Sequence, residues 1–152
     1  MAKQYWLMKS EPGAYSIDDL ERDSSTLWDG VRNYKARNNM RAMKVGDEVL
    51  YYHSNANPPG VVGIARVCRE AYPDPTQFDR GSKYFDGKST RADPRWWLVD
   101  IEFVARLPRL VSLEDVKSDP ALAAMELVRY GRLSVQAVTR EEFARVKRMG
   151  GA

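Results

Sequence analysis

The chain contains one cysteine, Cys68, and one histidine, His53. A single thiol excludes an intrachain disulfide, and one thiol with one imidazole cannot assemble a thiolate or imidazole zinc site. No metal or other cofactor is expected. Long apolar runs are also missing: GVVGIA at 60–65 falls far short of the ~20 residues a membrane span needs. The N-terminus lacks a signal-peptide pattern, so a cytoplasmic location is the expectation. Phosphate-cradling and nucleophile-elbow motifs (GxxxxGK[ST], GxGxxG, GxSxG) do not occur. Nothing looks like an assembled active site, and a non-enzyme is expected. No internal repeat, low-complexity tract or domain linker interrupts the sequence.

What is present suits one folded domain over 1–152, with 43% hydrophobic and 30% charged residues. The net charge of +3 argues weakly for a polyanionic partner. Its distribution says more. Between Asp29 and Lys44 the basic residues are Arg32, Lys35, Arg37, Arg41 and Lys44, against Asp29 alone, a local charge of +4. Such a window suits phosphates, with Arg32 and Arg41 as the expected phosphate-binding residues.

The segment QYWLMK (4–9) reads as a first strand that stops at SEPG. Ser16 with Asp19 forms a capping-box pattern, which starts a short helix at Ile17. At 100° per residue, a helix over 34–43 puts Ala36, Met40 and Met43 on one side and Tyr34, Arg37, Asn38 and Arg41 on the other. EVLYYH and VVGIARV, joined by SNANPPG, read as a hairpin. Residues 71–95 have no clear period but hold Tyr72, Phe78, Tyr84 and Phe85, so an ordered, packed loop is expected.

WWLVDIEFV (96–104) alternates as a strand, with Trp97 assigned to the core because it is in phase with Val99 and Ile101. Short helices follow, capped by Ser112 and by Asp119 with Pro120, the second running to about Tyr130. RLSVQAV reads as a late strand, and Thr139 with Glu142 opens a last helix whose apolar side is Phe143 and Val146. The order is that of an α+β fold, with five or six mostly antiparallel strands curled into a partial barrel among short helices.

The chemistry concentrates in WDGVRNYKARNN, residues 28–39. Flat bases are held by stacking on aromatic or guanidinium planes and identified by amides that offer donor and acceptor side by side. Trp28, Tyr34 and Arg37 supply planes; Asn33, Asn38 and Asn55 supply amides. The competing assignment is structural, with Trp28 in the core and the asparagines capping turns. A lone histidine such as His53 is more often structural than a general base.

Longer motifs carry a resemblance. YWLMKSEP, WDGVRNYKARNNMR, MKVGDEVLYYHSN, PPGVVGIARV, AYPDPTQFD and RLSVQ together resemble the EVE domain, a relative of PUA and ASCH folds similar in plan to YTH domains. The resemblance runs from Gln4 to about Val146. It implies a PUA-like pseudo-barrel whose pocket takes a nucleobase, with modified bases of DNA or RNA as ligands. By correspondence with YTH domains, Lys9, Ser10 and Trp28 would belong to the cage, with Ser54 and Asn55 at its mouth. Asn33, Tyr34, Arg37 and Asn38 belong to the motif itself, and His53 is grouped with the ligand-binding set. The expected mechanism is a monomer that takes up one base of a nucleic acid, with Arg37 or Arg41 on the flanking phosphate. Alternatives are an enzyme on the same scaffold, with His53, Glu11 or Lys83 carrying a proton, or a protein-binding module.

Overall fold

A computed structural model of the chain describes residues 3–152. Six strands form one mixed sheet: β1 (Tyr5–Ser10), β2 (Ser25–Leu27), β3 (Glu48–His53), β4 (Gly60–Pro73), β5 (Trp97–Ser112) and β6 (Val135–Val138). Their order is β2-β5-β4-β3-β1-β6; β1 and β3 run parallel and every other pair antiparallel. Around them lie α1 (Ile17–Asp23), α2 (Tyr34–Ala42), α3 (Leu113–Lys117), α4 (Glu126–Arg129) and α5 (Arg140–Met149). The sheet curls without closing, giving the expected α+β pseudo-barrel.

Both faces of the sheet are covered, which explains why β3 reads as a continuous apolar run. Trp6, Met8, Val49 and Tyr51 point into one core with α1, Trp28 and α2. Leu7, Leu50 and Tyr52 point into the other, against Leu122, Leu127 and α5. Side chains alternate across a strand, so one run of sequence serves two cores. Gly63 is required where α1 approaches β4 and β5: a Cβ there would lie 2.7 Å from the Ile17 side chain and 2.8 Å from the Ala105 carbonyl.

The helix caps follow the sequence. Ser16, Ser112 and Thr139 each complete a capping box. In α2 the buried side is Ala36, Asn39 and Met40, with Met43 beyond its end, so the expected division of faces holds.

Three expectations need correction. The strand placed at 96–104 runs from Trp97 and extends to Ser112, across Pro108. Pairing passes from Gly63–Arg106 to Val61–Val111, so four residues of β5 bulge opposite one of β4, and a proline fits such a bulge. The helix expected over 119–130 breaks into a 3-10 turn, Pro120–Leu122, and α4, whose N-cap residue Met125 has no side-chain cap. Trp96, not Trp97, is the more buried indole: it precedes the strand and stacks under Tyr34, while Trp97 is half-buried beneath Arg41.

Candidate nucleic-acid interface

Trp28 follows β2, and its backbone N–H donates to Val99 O (2.9 Å), so the chain stays tied to β5 as it leaves the sheet. The indole meets Tyr51 edge-on, ring centroids 5.6 Å apart at 87°. Tyr51 is fixed in turn, its hydroxyl donating to Tyr15 O at 2.7 Å. Beside this pair opens a cavity of about 390 Å³, lined by Ser10, Ala14, Tyr15, Thr26, Leu27, Trp28, Asp29 and Tyr84. That volume lies within the range of pockets that bury small ligands.

Tyr84 comes from the long loop, and its placement depends on an ion pair whose carboxylate is buried. The Asp74 carboxylate is fully buried and accepts from the Gly30 N–H (2.8 Å), the Thr76 N–H (2.8 Å) and Arg32 Nη1 (3.1 Å). The same guanidinium donates twice to Tyr84 O, at 3.2 and 2.7 Å. Gly30 has φ +79°, and a Cβ on it would lie 2.6 Å from the Tyr84 ring. A glycine is therefore needed for both the turn and the close approach. Gln77 and Ser89, both buried, knit the rest of the loop to Trp96 and Arg95, so the segment is ordered and packed as expected.

Two groups in the lining have no hydrogen-bonding partner on another described side chain. The chain has four tryptophans. Trp6 donates its indole N–H to Asp47, Trp96 to Asp86 and Trp97 to Pro94 O. Among the described residues the Trp28 N–H has no such acceptor, although buried indoles usually find one. The Asp29 carboxylate likewise accepts no hydrogen bond from another described side chain. Burial, with a smaller contribution from Asp74, raises its pKa above the ordinary value. It is the one carboxyl group of the lining.

Of the residues singled out from the sequence, Ser10 and Trp28 line this cavity. Lys9 cannot join Ser10, because strand neighbours face opposite ways. Its amine donates to Gly131 O (2.6 Å) and lies over Tyr52, and burial lowers its pKa. The three amides do not edge the cavity. Asn33 caps α2 by accepting from the Ala36 N–H, Asn38 accepts from the Arg37 guanidinium, and Asn55 donates to Glu11. Ser54 donates its backbone N–H to Ser10 O, which ties β3's end to β1.

His53 lines a separate groove with Asp18 and Arg106, and its Nε2 accepts the Ile17 N–H at 3.1 Å. Burial lowers its pKa, partly opposed by Asp18, which keeps it a neutral acceptor. Neither Glu11 nor Lys83 lines the cavity either. Arg32 is committed to Asp74 and the Tyr84 carbonyl. Arg37 lies over Tyr34 and donates to Arg95 O, while Arg41 is exposed above Trp97.

Tyr15, Asp29 and Tyr84 do not stand out in the sequence as site residues. Asp29 lies inside WDGVRNYKARNN but registers there only as a charge. Tyr84 arrives through a loop without periodicity. Among the described residues no helix is long and apolar enough to cross a membrane.

Comparison with known proteins establishes the family. Mouse thymocyte nuclear protein 1 is 44% identical over 158 aligned residues, covering 91% of this chain and 70% of its own. A hypothetical protein from Leishmania major superposes with a TM-score of 0.94 at 51% identity, over 99% of this chain and 96% of that one. The human THYN1 protein, solved in complex with DNA containing 5-methylcytosine, gives a TM-score of 0.93 at 40% identity, with 99% of each chain covered. A YTH domain of Zygosaccharomyces rouxii shares the fold at 10% identity and a TM-score of 0.55. The EVE domain model matches residues 4–149, and the chain belongs to the EVE domain family.

Proposed function

We propose that the cavity beside Trp28 holds one extruded, modified base of DNA, with 5-methylcytosine as the first candidate. The observation that carries this is the combination of an unpartnered indole N–H and an unpartnered carboxylate in one aromatic-lined cavity. Support for the ligand comes from the human relative, whose structure contains 5-methylcytosine DNA. Trp28, Tyr15 and Tyr84 supply aromatic surface, and stacking a base on such a ring contributes roughly 1–3 kcal/mol. Ser10 and Thr26 add hydroxyls that can donate or accept.

Asp29 gives the cavity its selectivity. A carboxylate accepts from the exocyclic amine of cytosine and confronts the carbonyl that thymine presents at the same place. An anion facing a polyanionic ligand is unfavourable unless it meets a donor, so its presence favours an amino-edged base. The 5-methyl group then adds about 0.8 kcal/mol, about fourfold in affinity, when it is fully buried. One cavity takes one base, so a monomer suffices. A cytoplasmic location fits this reading in a cell whose DNA lies there.

Thymine is the informative competitor, because it carries the same methyl group on an opposite edge. The wild-type protein should prefer 5-methylcytosine to thymine at one position of an otherwise identical duplex by about tenfold or more. Asp29→Asn, whose amide can face either edge, should bring the two within about twofold. Equal binding of the two duplexes by the wild-type protein contradicts the proposal.

A further inference from the structure

We infer that α2 and residues 79–95 form a landing surface for the DNA phosphates that flank the extruded base, an inference that rests on the base-holding reading above. Helix α2 carries Lys35, Arg37 and Arg41 and no acidic residue. The loop adds Arg80, Lys83, Lys88 and Arg91 beside the acids Asp79, Asp86 and Asp93, of which Asp86 is paired with Arg95, so cations stay in excess. Among the described residues none of these seven has a carboxylate oxygen within 4.0 Å, which is also true of Arg69, Arg109, Arg129, Arg132, Arg140 and Arg148, so what sets this surface apart is the clustering of its cations.

The two segments make one surface. Arg37 Nη1 donates to Arg95 O at 2.9 Å, and Tyr34 stacks on Trp96 with centroids 5.0 Å apart at 24°. Arg32 then lies 5.3 Å from the Trp96 centroid and 5.5 Å from that of Tyr84. A column of planar groups thus leads from Arg37 and the 53% exposed Tyr34 inward to a wall of the base cavity. Along it, cations rest on rings rather than on acids: Arg41 on Trp97 at 4.5 Å, Arg91 on Phe78 at 4.6 Å and Lys83 on Tyr84 at 5.1 Å. A ring orients a cation without neutralising it. The surface therefore keeps a net positive charge despite Asp79, Asp86 and Asp93, and it is continuous with the cavity. Both features fit a strand of phosphates running past the base.

The test replaces four exposed loop cations together, Arg80→Gln, Lys83→Gln, Lys88→Gln and Arg91→Gln. The fall of log affinity with log salt should become shallower by about 0.9 for each phosphate that is no longer neutralised, while the preference for 5-methylcytosine over thymine persists. The control is Arg140→Gln, Lys147→Gln and Arg148→Gln on α5, which should leave the slope as it is. An unchanged slope in the loop variant, or an equal loss in the α5 variant, overturns the inference. So does competition by polyglutamate as strong as that of an unmodified duplex of equal charge. A wild-type protein without base preference contradicts the base-holding reading alone, and the salt slope still decides this one.

Discussion

Trp28 occupies a position between core and surface, 8% exposed and packed edge-on against Tyr51. Truncation to alanine confuses two effects, since emptying a buried tryptophan site costs about 3–5 kcal/mol of stability by itself. Trp28→Phe separates them: a ring remains against Tyr51, while the indole N–H and part of the stacking surface are removed. Affinity for a 5-methylcytosine duplex should fall about three- to tenfold, with a much smaller change in melting temperature. Unchanged affinity by titration removes Trp28 from the ligand-binding set. The indole was legible in the sequence because aromatic and amide groups crowd residues 28–39. The asparagines lie off this cavity, and for Asn33 the reason is local: side-chain amides near helix starts satisfy backbone groups first, as it does for Ala36. Lys9 lies off this cavity by strand parity, since Ser10 lines it and strand neighbours face opposite ways.

Two elements set the shape of the site. The long loop is anchored by the Arg32–Asp74 pair, whose carboxylate is buried, and removing that carboxylate leaves the Gly30 and Thr76 N–H groups without their acceptor, at a cost of about 1–3 kcal/mol. Asp74→Ala should therefore lower stability by about that amount and release Tyr84, exposing residues 79–95 to limited proteolysis. A loop as resistant as in the wild type contradicts that anchoring role. Helix α1 depends on His53, which accepts the Ile17 N–H only while neutral. Its folded pKa lies below 6.5, so the unfolded chain takes the proton first as pH falls, and this contribution to stability is lost from 6.5 downward. His53→Gln should flatten the fall of melting temperature over that window; an identical pH profile rules the assignment out. Elements with a period or a cap, such as α2 and α5, were readable from sequence. The far halves of β4 and β5 were not: each lies antiparallel against the near half of the other, where backbone hydrogen bonds rather than apolar alternation fix the strand.

For the whole molecule, the two-sided sheet explains how so small a chain positions a cavity. One core holds Trp28, Tyr51 and α1 in fixed relation, and the other supports β1 and β3 from behind. Charge is arranged at the same scale, with unpaired cations beside the cavity mouth and a single anion within it. That base-binding account is tested most directly by the indole N–H resonances of the four tryptophans, followed while 5-methylcytosine DNA is added. The resonance that disappears in Trp28→Phe should shift strongly with the 5-methylcytosine duplex and weakly with its thymine counterpart, while that of Trp6, bound to Asp47, stays in place. Saturable DNA binding that leaves the Trp28 resonance unmoved would place the base elsewhere and contradict the account.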